Sequence, residues 1–121
     1  MPYEFYKVLH IIGLLLLFFG LSSAMTLKLA GVPFQGPAKK LAMICHGIGL
    51  TVMLIAGFGL TAKMGMMGNL PGWVYAKLGI WVILGGSIAL AKRKGDIGWP
   101  LMILFVGLGA TAAYLAIYKP F

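Results

Sequence analysis

Four long apolar stretches dominate this chain of 121 residues, at roughly 5–27, 39–62, 72–91 and 98–118. Each approaches or exceeds the ~20 residues that a helix needs to cross a bilayer. Inside lipid the backbone has to satisfy its own polar groups, so such stretches are helices. The expected fold is therefore all-α: one domain, residues 1–121, forming an antiparallel up-and-down bundle of four transmembrane helices. Composition agrees, because 61% of residues are hydrophobic and only 10% are charged. A soluble domain carries about a quarter charged residues. "SSA" at 22–24 imitates a signal-cleavage site, but the apolar run before it is too long for a signal peptide, so the first span is expected to stay.

The connections are short. "GVPFQGP" (31–37) ends the first helix, and Pro37 suits the first turn of the second. "MGMMGNLPG" (64–72) and "KRKGDIGWP" (92–100) separate the later spans, with Pro100 again placed for a first turn. No loop is long enough for a soluble domain, so function lies in the membrane or at its edges.

A net charge of +8 suggests nucleic acid at first sight. Topology explains it better. Loops one and three carry Lys28, Lys39, Lys40, Lys92, Arg93 and Lys94; the other side carries Lys7, Lys63, Lys77 and Lys119. The positive-inside rule then places loops one and three in the cytoplasm and both termini outside. Tyr3, Tyr6, Trp73, Tyr75, Tyr114 and Tyr118 fall at the outer interface and Trp99 at the inner one, as an aromatic belt. The partner is the bilayer, with no nucleic acid.

Ionisable side chains inside spans are costly and mark function by default. Three qualify: His10, His46 and Lys77. No carboxylate lies in the hydrocarbon region, which argues against a cation/proton exchanger. At ~1.5 Å per residue, His10 and Lys77 each sit roughly 7 Å in from the outer boundary, on helices running the same way. His46 sits about 10 Å in from the inner face. Across a core of ~30 Å this leaves His46 roughly 12 Å below His10, too far for the two to ligate one iron. His10 reads either as an axial haem ligand or as a hydrogen bond to a neighbouring helix. His46 shares a strip with Gly49, Met53 and Gly57 and faces the bundle; a structural hydrogen bond is the favoured reading over a metal ligand. Lys77 either snorkels to the outer headgroups, its stem covered by Trp81, or meets an anionic group.

Gly13 and Gly20 lie on the His10 side of the first helix, and "GLGATAA" (107–113) gives the fourth a small-residue face. Close helix packing is the plain reading of such residues. With a haem on His10, Gly13 would instead leave room for the flat ring. Cys45 is alone, and neither CxxC nor CxxCH occurs, so covalent c-type haem and the usual zinc sites are out. Met64, Met66 and Met67 offer thioethers that suit Cu(I), or simply dip into lipid.

Two family resemblances follow from these residues. "FYKVLHIIG" (5–13), "GWVYAKL" (72–78) and "KPF" (119–121) resemble the HemJ-type protoporphyrinogen IX oxidases. That resemblance implies a bacterial cytoplasmic-membrane protein of four helices that binds haem b, with His10 and Lys77 at the positions of that family's first-helix histidine and its GWxxxKL lysine. Tyr75 stands where those proteins often carry a histidine, and the arginine after their first span has no counterpart nearer than Lys28. The chain is also shorter than most of that family. "KVLH", His46 and "WVYAKLGIWVILGGSIALAKR" (73–93) resemble the SirB-type membrane proteins. That resemblance implies a cofactor-free accessory or structural subunit. In both cases four helices are a thin wrapping, so a homo-oligomer or a place in a larger membrane complex is expected.

Overall fold

The computed structural model describes residues 3–63, 65 and 68–118, and among these it is all-α. The order is α1 (Tyr3–Leu29), α2 (Gly36–Lys63), α3 (Gly72–Lys94), a single 3-10 turn (Gly95–Ile97) and α4 (Trp99–Tyr118). All four helices are long and apolar enough to span a membrane. The copper-type methionines Met64, Met66 and Met67, the terminal Lys119–Pro120–Phe121 and the side chain of Tyr3 lie outside the described residues.

α1 to α3 run past the apolar stretches at their basic ends. α1 takes in Lys28, α2 takes in Lys63, and α3 takes in Lys92, Arg93 and Lys94. The reason is length. α1 has 27 residues, or about 40 Å at the helical rise, against a hydrocarbon core of ~30 Å. Its ends therefore reach the headgroup layer, where lysine stems stay against the helix and the ammonium finds water.

Contacts fix the directions. His46 of α2 meets Leu17 of α1 and Gly85 of α3, His10 meets Met53, and Trp81 meets Leu50, so α2 is antiparallel to both α1 and α3. Gly95, after α3, abuts Met25 near the end of α1, which makes α1 and α3 parallel. Leu115 near the end of α4 packs with Trp73 and Val74 at the start of α3. The main core joins Leu17, Leu21 and Ala24 of α1 to Leu84, Ile88 and Ala91 of α3 and to Leu101 and Phe105 of α4. Ile44, Ile48 and Ile55 of α2 and Ile103, Val106 and Ile117 of α4 face outward. An apolar exterior is what a lipid-facing helix requires. Trp73 departs from the aromatic belt: it is buried against Leu115 of α4, whereas Tyr75, Trp99, Tyr114 and Tyr118 are exposed.

α1 packs most extensively on α2, and the sequence explains why. Along α1 the inward positions are His10, Gly13, Leu17, Gly20 and Ala24; along α2 they are Ala42, His46, Gly49, Met53 and Ala56. Both sets alternate steps of three and four, the repeat of a left-handed antiparallel seam. Glycine lets the two backbones touch. A Cβ on Gly13 would lie 3.0 Å from the Gly49 carbonyl oxygen and 2.9 Å from the Met53 nitrogen. One on Gly49 would lie 2.6 Å from the Gly13 oxygen.

Candidate functional site

The polar groups of the interior lie where α2 meets its neighbours. The outermost is His10. Its Nδ1 donates to the Met53 carbonyl oxygen at 3.2 Å. A carbonyl only accepts, so Nδ1 carries the proton and the Nε2 lone pair is left for another partner. The Nδ1/Cε1 edge lies over Gly57, whose missing side chain lets the ring sit against α2. The Lys77 ammonium is within electrostatic reach of the ring. The helix register agrees: Leu17 and Gly85 are level through His46, so one heptad back His10 is level with Leu78, next to Lys77.

One turn deeper, the Trp81 indole N–H donates to the Leu50 carbonyl oxygen at 3.0 Å, tying α3 to α2. The sequence carried a signal for this bond, since a buried indole N–H needs an acceptor. Its acceptor is a backbone atom, which the side-chain pattern does not name.

Deeper again is His46, only 3% exposed. Its Nδ1 is 3.2 Å from the Leu17 oxygen and its Nε2 is 3.3 Å from the Gly85 oxygen. Both nitrogens thus face backbone acceptors on two different helices. A neutral ring donates to one of them at a time, and either way the imidazole links α2 to α1 and α3. His46 lies one heptad along α1 from His10, roughly 10 Å at the helical rise. Neither nitrogen is turned to an open site.

The structure does not bring the other candidate residues to His10. Gly13 is buried, and the room beside it is filled by α2: a Cβ there would meet Met53 Cγ at 2.8 Å. A flat ring cannot lie against it, because the seam that glycine makes possible has already closed. Tyr75 is 60% exposed and points away from the half-buried Lys77, as residues two apart on a helix do. Tyr6, one turn from His10 and expected in the aromatic belt, packs its ring on Gly59 of α2. Among the described residues no three His, Cys, Asp or Glu side chains cluster as a metal site. A metal held here would rest on a single imidazole within a larger cofactor.

Replacing Trp81 by Phe keeps the ring and removes the donor. The expected cost is about 1 kcal/mol, the range of interhelical hydrogen bonds in membrane proteins. A reversible unfolding titration from mild detergent into dodecyl sulfate reads it. An unchanged midpoint would mean that the bond contributes nothing to α2–α3 packing.

The chain matches no protein-family model, no curated protein and no solved structure. The functional reading therefore stands on the residues themselves.

Proposed function

We propose that this is an integral membrane protein that binds haem b through His10 and acts as an oxidoreductase on a porphyrin or a quinone. One observation carries the reading: an imidazole in a membrane span whose Nδ1–H is held by the Met53 carbonyl, so that Nε2 presents a lone pair. This is how a ligating histidine is oriented by its surroundings, the carbonyl fixing both tautomer and ring direction. The donor set fits a haem better than a free ion, because haem needs only one or two axial ligands from the protein. When bound, haem b supplies one-electron transfer.

The chain's own residues do the rest. His10 would hold the iron, and the Met53 carbonyl orients His10. Lys77, level with it, would pair with a carboxylate, either a haem propionate or an anionic substrate. As a neutral amine Lys77 would instead be the second ligand. His46 keeps the helices together. Room for the macrocycle comes from outside the α1–α2 seam, since Gly13 is occupied.

A second reading has its own support. The glycine seam is closed, and both nitrogens of His46 are engaged, so α1 and α2 meet with no group between them. This describes an accessory subunit of a membrane complex, or of a homo-oligomer. The absorption spectrum of the detergent-purified protein separates the two: a Soret band belongs to the first, its absence to the second.

We place the protein in a bacterial cytoplasmic membrane with both termini outside, on the lysine and arginine count of loops one and three. Reporter fusions at Lys94 and at Phe121 should report opposite sides, with Lys94 cytoplasmic. A cytoplasmic Phe121 reporter reverses the orientation.

A further inference from the structure

At the basic end of the bundle, the last turns of α1 and α3 and the segment between α1 and α2 form a half-open cleft of about 240 Å³, lined by Lys28, Gly31, Val32, Pro33, Phe34 and Lys92. We propose that this cavity binds the phosphodiester headgroup of an anionic phospholipid, with Lys28 and Lys92 as its two cations.

The loop that forms one wall of the cavity is fixed by backbone bonds. Gly31 has φ +73°, the Gly31 N–H donates to the Lys28 oxygen at 3.1 Å, and the Val32 N–H donates to the Leu27 oxygen at 2.9 Å. This pair of bonds is a Schellman closure. It turns the chain sharply, and Phe34 then packs back against the main core. The loop is thereby held over the ends of two parallel helices.

The closure also changes the role of Lys28. A lysine in a last turn often serves the terminal carbonyls. Here those of Leu27 and Lys28 already accept backbone N–H groups. Neither of those two carbonyls needs the ammonium. Lys92 is half-buried, unlike the exposed Arg93 and Lys94 beside it. Two cations facing one cavity repel each other, so an anion between them removes a cost as well as adding an attraction. The cations outnumber the acids: this end carries Lys28, Lys39, Lys40, Lys92, Arg93 and Lys94 against one carboxylate, Asp96.

Depth selects a lipid over a soluble anion. α1 outreaches the hydrocarbon core, so its last turn lies in the headgroup layer. Basic pockets between transmembrane helices at that level are suited to phospholipid headgroups. Val32, Pro33 and Phe34 supply an apolar wall for the glycerol and upper acyl segments.

The test uses the full chain, purified and stripped of lipid in a neutral detergent. Native mass spectrometry counts bound dioleoyl phosphatidylglycerol against dioleoyl phosphatidylcholine, with inorganic phosphate as competitor. One phosphatidylglycerol per chain should bind saturably, in preference to phosphatidylcholine, and millimolar phosphate should not displace it. Lys28→Gln with Lys92→Gln should weaken binding roughly tenfold or more. Lys28→Arg with Lys92→Arg should restore it. Lys39→Gln with Lys40→Gln, which lie outside the cavity, should weaken it much less, because those charges act on the site only through a screened field. Three results overturn the proposal: equal binding of phosphatidylcholine, an equal loss in the Lys39/Lys40 variant, or displacement by free phosphate. The last would assign the cavity to a soluble phosphate ligand.

Discussion

A valine at Gly20 together with a valine at Gly49 should prevent α1 and α2 from packing at all. A Cβ on Gly20 would lie 2.7 Å from the His46 nitrogen and 2.8 Å from the His46 Cβ, and one on Gly49 would lie 2.8 Å from the Leu17 Cα. These neighbours are backbone atoms or atoms fixed to it, so no side chain can swing aside. The helices must separate, and the His46–Leu17 bond goes with them. Overpacking costs about 1–3 kcal/mol per site, and two sites in one seam do not add simply. The expected result is a chain that inserts but lacks the cooperative unfolding transition of the parent. Gly47, Gly79, Gly86 and Gly107 have open space where a Cβ would go. Alanine at these four should leave the transition in place. If the Gly20/Gly49 pair unfolds like the parent, the seam is not what holds α1 to α2.

The spans were legible because hydropathy and length act on the whole stretch at once. Residues 5–27 became Tyr3–Leu29, and 98–118 became Trp99–Tyr118. The differences fall at ends, where lysines belong to helix and headgroup together. The side of α1 that faces inward was also legible, since His10, Gly13 and Gly20 share it. The choice between neighbours was not. Whether Gly13 borders a cofactor or a helix depends on which helix comes closest, and the pattern of one strand of sequence is silent on that. The acceptors were hidden for a different reason. Met53, Leu50, Leu17 and Gly85 contribute backbone oxygens, so their residue types leave no trace of the role. The 3-10 turn at Gly95–Ile97 was missed likewise: it exists because Gly95 fits against Met25 and Gly98 takes φ +81°.

The two histidines have different surroundings and should behave differently. His10 offers one nitrogen beyond its bond to Met53; His46 offers none. Loss of His10 should therefore remove a haem and leave the fold. Loss of His46 should weaken the fold and leave the haem. For His46 the useful variant is Gln, which keeps a donor for one of the two carbonyl oxygens and limits the structural damage. For His10 it is Gly, because added imidazole can then take the vacated position.

The Soret absorbance per mole of purified protein, compared across the parent, His10→Gly and His46→Gln, is the direct measurement. The parent should show a Soret band, His10→Gly should lose nearly all of it and regain it with imidazole, and His46→Gln should keep most of it. A parent without the band, or a band that survives His10→Gly and vanishes in His46→Gln, contradicts the assignment of His10 as the haem ligand.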